Sequence, residues 1–104
     1  MTLIETLQWN IDFIQKETDA IDSSAKIKTR VHRVCDYSSD AIKQYAKDND
    51  VDELVAKLEK AFTIFDDLIK ELEGNPKEES MWMLLITHVA DMIALLPRNS
   101  KEGK

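Results

Sequence analysis

The sequence predicts an all-α protein, an antiparallel four-helix bundle, on three observations. Glycine and proline occur only twice each in 104 residues, at Gly74, Gly103, Pro76 and Pro97, and sheet proteins lean on these residues for their turns. Apolar residues recur at spacings of three and four, the period of a helix face. Breaks in that pattern divide the chain into helices over about 3–18, 21–47, 51–73 and 76–96. Residues 1–97 make one domain, and a chain of this size buries roughly two-thirds of its unfolded surface in one core. The polar segment 98–104 is expected to be a disordered tail.

The first helix starts at a T-x-x-E capping box, Thr2 with Glu5, and carries Leu3, Leu7, Ile11 and Ile14 on one face. The second carries Ile27, Val31, Val34, Ala41 and Tyr45, with Ser38 filling the gap in the stripe. Residues 26–32 alternate polar and β-branched side chains, as a strand would. A lone strand would leave its backbone groups unpaired, so helix is the expectation there, with the patch Asp36-Tyr37-Ser38-Ser39-Asp40 as the place where it could kink or split.

Asp50 with Glu53 starts the third helix as a capping box with Asp as the cap. Val51, Leu54, Leu58, Ala61, Phe65, Leu68 and Leu72 keep its stripe for three heptads, and Val55, Phe62 and Ile69 widen it to the breadth of a bundle helix. Gly74 is the expected stop. Asn75-Pro76 restarts the chain, with Asn as cap, Pro at the first helical position and Glu78 reaching back to the cap backbone. The fourth helix turns Trp82, Leu85, Ile86, Val89, Met92, Ile93 and Leu96 inward.

That fourth helix is apolar nearly all round. Thr87, His88 and Asp91 form its expected wet stripe, with His88 beside the Asp91 carboxylate. Leu84 and Leu95 flank this stripe, where a solvated face should be polar. On the first helix, Trp9 and Phe13 stand one turn apart, away from the Leu3/Leu7/Ile11/Ile14 face. Clustered exposed apolar residues mark contact surfaces, and Trp is enriched at interface hot spots. Trp9, Phe13, Leu84 and Leu95 are therefore the candidate interface, and the expected state is a homodimer through the first or fourth helix.

The net charge is −6. Affinity for nucleic acid comes from Lys and Arg neutralising phosphates, so neither direct nucleic-acid binding nor an anionic membrane surface is expected. Lys26, Lys28, Arg30 and Arg33 concentrate four positive charges in eight residues, a band expected to pair with an acidic helix or partner. The single cysteine, Cys35, excludes an intramolecular disulfide and fits a reducing compartment. No basic, apolar leader opens the sequence, and the run from Met81 to Leu96 is shorter than the ~20 residues a membrane span takes. The expected setting is the cytoplasm.

Chemistry-bearing residues are sparse. His32 with Cys35, and His88 with Asp91, are spaced i, i+3 on two helices. If those pairs converged they could hold Zn²⁺; the expectation is no metal and no cofactor, with Cys35 acting as a small buried hydrophobe. Glu78-Glu79 followed by His88-Val89-Ala90-Asp91 faintly resembles the E-E-x-x-E and E-x-x-D metal motifs of all-α nucleotide pyrophosphatases of the MazG type. Trp82 and His88 stand where two of those glutamates belong, so two ligands are lost and no membership is drawn. The functional expectation is a small acidic adaptor, inhibitor or regulator that works by protein–protein contact, not an enzyme. Bacteriocin-immunity and phage-encoded inhibitors are analogies of class, with no shared motif. The alternatives are an acidic mimic of nucleic acid, a metal-binding bundle and a divergent nucleotide hydrolase.

Overall fold

The computed structural model describes residues 2–72 and 75–97. It contains four helices: α1 (Leu3–Ala20), α2 (Ala25–Asp48), α3 (Val51–Lys70) and α4 (Pro76–Leu95), with no strand among the described residues. Each packs on its neighbours in sequence and α4 closes on α1; among the described residues the backbones of the diagonal pairs α1/α3 and α2/α4 stay further apart and meet only through side chains of the core. Cross-helix partners show that neighbours run antiparallel. Gln8 meets Ser39 while Gln15 meets His32, and Tyr37 lies by Lys60 while Arg30 meets Glu71.

The interior follows the stripes. Leu7, Ile11 and Ile14 meet Val31, Cys35 and Ile42 of α2, Leu54, Leu58, Phe65, Leu68 and Ile69 of α3, and Trp82, Leu85, Ile86, Val89 and Met92 of α4 in one cluster. Burying each large aliphatic side chain contributes roughly 1.5–3 kcal/mol. Trp82 is the largest buried side chain and packs edge-on against Phe65, with ring centroids 6.2 Å apart. Its indole N–H donates to Glu78 Oε2 at 3.4 Å, which satisfies the one polar atom it takes inside. Ser23, on the link between α1 and α2, donates to the same carboxylate oxygen and ties that link to the start of α4.

The caps fall largely as the sequence predicts. Thr2 and Glu5 form the full reciprocal box. At α3, Asp50 accepts from the Glu53 amide, but its own backbone N–H goes to Asp48 Oδ1, so the box there is only half formed. Asn75 accepts from the Glu78 amide, and Glu78 returns to the Asn75 side-chain amide rather than to its backbone. The expected stop at Gly74 and the expected tail 98–104 lie outside the described residues.

Three boundaries differ from expectation. α1 runs two residues further, and α2 begins at Ala25 instead of residue 21. Ile21 is the reason: its extended backbone leaves α1 while its side chain stays in the core, and Ser24 then caps α2 through the Ile27 amide. α3 stops at Lys70, where the amides of Glu71 and Leu72 turn back to carbonyls of the last turn. α2 itself is continuous. Ser38 points inward and donates to the Val34 carbonyl at 2.9 Å, so the serine pair does not break the helix.

Candidate functional site

The α1/α4 seam gathers Trp9, Phe13, Leu84 and His88 of the residues singled out from sequence. Antiparallel packing sets Trp9 and Phe13 of α1 level with His88 of α4. The Trp9 and Phe13 rings stack with centroids 5.4 Å apart, and the His88 ring lies 4.7 Å from Phe13 and 6.3 Å from Trp9. Trp9 remains 50% exposed, while Phe13 is partly buried against the core. Leu84 is 69% exposed and Leu95 49%, so both stand on the outside of α4 as the helical wheel places them. Met81, which the sequence reading passed over, is exposed with them. Phe13, Glu17, Ile21, Met81, Leu84 and His88 line a groove of about 300 Å³ along the seam.

His88 does not belong to a wet stripe, and this corrects the expectation. It is partly buried and turned toward α1, where Nδ1 lies 2.9 Å from Asn10 Oδ1. Asn10 is itself buried and donates its Nδ2 to the Thr6 carbonyl at 2.9 Å. That contact fixes the amide orientation, so Oδ1 is an acceptor and His88 Nδ1 carries the proton. Nε2 has no hydrogen-bond partner among the described residues. Asp91 is exposed and is not a hydrogen-bond partner of His88.

His32 and Cys35 also separate. His32 faces α1, its Nδ1 2.5 Å from Gln15 Oε1 and its Nε2 2.9 Å from Asp19 Oδ1. Cys35 is buried in the core. Burial, with smaller contributions from the Asp36 and Asp12 carboxylates, pushes its thiol up to about 12. A buried neutral thiol of this kind is a poor nucleophile and a poor metal ligand. The four candidates His32, Cys35, His88 and Asp91 do not converge, and no group of three or more His, Cys, Asp or Glu is placed to hold a metal ion among the described residues.

The basic band is divided by the helical twist. Lys28 turns to α1 and donates to the Asp19 carbonyl at 3.1 Å, serving a backbone oxygen in α1's last turn. Arg30 turns to α3 and pairs with Glu71, just past the end of that helix, at 3.1 Å. Lys26 and Arg33 are exposed and have no ion-pair partner among the described residues. Arg33 and Arg30 rim a second groove of about 490 Å³ between α2 and α3, opposite the α1/α4 seam, with Lys60 lying 5.9 Å over the Tyr37 ring. Asp67 and Glu71 share that rim, so it is mixed in charge.

The sequence missed Asn10 and Met81. Asn10 sits on α1 between the core stripe and the Trp9/Phe13 edge, where a polar residue usually reads as surface. No helix is long and apolar enough to cross a membrane among the described residues. No protein-family model, curated protein or solved structure gives a significant match to this chain.

Proposed function

We propose that this chain works by protein–protein contact, with the α1/α4 face as its docking surface and no catalytic step of its own. The observation that carries the reading is the outward position of Leu84, at 69% exposure, on a helix whose other side is already filled by the core. Trp9, Phe13, Met81 and Leu95 extend the apolar surface on both sides of it. Removing such clustered apolar area from water is favourable by roughly 25 cal/mol per Å², and soluble chains seldom leave it bare without use. The polar rim of Glu5, Gln8 and Asp12 beside Trp9 suits the edge of a protein interface. This is the behaviour of an adaptor, inhibitor or regulator.

A photo-crosslinking residue placed at Leu84 in the native cell tests the reading, with the exposed Lys43 position of α2 as control. Position 84 is expected to capture a discrete protein, either another chain or a second copy, and position 43 is not. Equal, diffuse capture at both positions would overturn the reading.

A further inference from the structure

We propose that two copies of this chain meet through the outer face of α4, antiparallel, about a twofold axis that passes near Leu84. The inference rests on the α1/α4 docking reading and names its occupant.

α4 carries two stripes side by side. Trp82, Leu85, Val89, Met92 and Leu96 form the inner one and are buried in the bundle. The outer one runs through Lys77, Met81, Leu84, His88, Asp91 and Leu95, at spacings of four, three, four, three and four. That is the seam pattern by which one helix packs along another over several turns. Met81, Leu84 and Leu95 on this stripe are exposed, and nothing among the described residues covers them.

The two charges on the stripe choose the partner's direction. Lys77 and Asp91 are opposite in sign and lie about 21 Å apart along the helix. Both are exposed, and neither has an ion-pair partner among the described residues. A parallel copy would bring lysine beside lysine and aspartate beside aspartate. An antiparallel copy brings Lys77 of each chain within a turn of Asp91 of the other, and so forms the pair twice. The midpoint between the two charges is Leu84, the most exposed large apolar side chain described. A surface complementary to itself in this way is what a twofold interface requires.

One α4 face about 10 Å wide and about 30 Å long gives on the order of 300 Å² per copy. Trp9 and Phe13 of α1 flank the seam and widen it toward the roughly 800 Å² per partner of standard interfaces. The net charge of −6 makes two copies repel at long range, a repulsion confined to about 8 Å at physiological salt.

Sedimentation velocity of the full chain at physiological salt, up to some hundreds of micromolar, tests the proposal. The expected species has twice the 12.0 kDa chain mass. Leu84→Glu is expected to leave a monomer whose unfolding midpoint matches that of the wild-type chain diluted until it is monomeric. Lys77→Glu and Asp91→Lys are each expected to weaken association about five- to tenfold, since two rim pairs turn repulsive. An equimolar mixture of those two variants is expected to regain wild-type affinity, because the mixed dimer restores both pairs. A wild-type chain that stays monomeric overturns the proposal; crosslinking from position 84 to a different protein would then leave the docking reading standing. A dimer that survives Leu84→Glu overturns it by using another face. A mixture no tighter than its components overturns the antiparallel geometry.

Discussion

His88 Nδ1 and Asn10 Oδ1 are 2.9 Å apart across 78 residues of sequence, and this one hydrogen bond joins the two ends of the bundle's ring of helices. Asn10 is buried and spends its Nδ2 on the Thr6 carbonyl, so its oxygen meets one donor among the described residues, the His88 ring. Breaking this bond leaves a buried acceptor dry.

His88→Leu is therefore expected to destabilise the fold by about 1–3 kcal/mol although it adds apolar surface, because the unsatisfied Asn10 oxygen outweighs the gain. Urea unfolding measures the change. In the wild-type chain, nitrogen NMR of the imidazole is expected to place the proton on Nδ1. A neutral ring protonated on Nε2 alone would contradict the network.

The Cys35 thiol has its ionisation pushed from the ordinary 9.0 to about 12 by burial first, then by Asp36 and Asp12. The folded state thus holds this proton more tightly than the unfolded chain does. Its contribution to stability is complete below about pH 9 and is lost as pH rises from there toward 12. Alkylation by iodoacetamide at pH 8 is expected to proceed only as fast as the chain opens. Rapid labelling of the folded protein would show that the sulfur is accessible.

The two tryptophans are expected to differ sharply. Trp82→Ala empties the centre of the core and should cost about 3–5 kcal/mol. Trp9→Ala removes a half-exposed ring and should cost on the order of 1 kcal/mol, chiefly its stacking on Phe13. Thermal unfolding of both variants decides the ranking; equal losses would place Trp9 in the core.

Asn49 ends α2 in the left-handed region, with φ 59° and ψ 24°. Asn49→Gly is expected to leave stability within about 0.5 kcal/mol, since glycine takes this conformation freely. Asn49→Val should cost about 1–2 kcal/mol, as a β-branched side chain crowds the backbone there. Denaturant midpoints separate the two, and equal midpoints would mean that the turn relaxes to another conformation.

Much of the fold was legible because it rests on local chemistry. The Thr2/Glu5 box, the Asp50 cap and the Asn75-Pro76 start are set within four residues, and the α3 stripe from Leu54 to Leu68 matches its buried face. The α1–α2 boundary was not legible. No glycine or proline marks it, and Ser24 lacks the glutamate three residues later that would make its cap conspicuous. The continuity of α2 through Ser38 was also undecided, since a serine serves equally as a cap or as an inward donor to the preceding turn.

By itself, the sequence determined four helices, the face each turns inward, and a surplus of apolar residues at Leu84 and Leu95, because periodicity and capping are properties of neighbours in the chain. The tertiary structure decided what happens at the edges of those faces. His88 sits where the inner and outer sides of α4 meet, and whether it bonds Asp91, solvent or Asn10 depends on how α1 is set against it. Trp9 and Phe13 divide in the same way, one left half in water and the other drawn toward the core. A helix fixes the direction of its side chains, but only packing against another helix fixes what they meet.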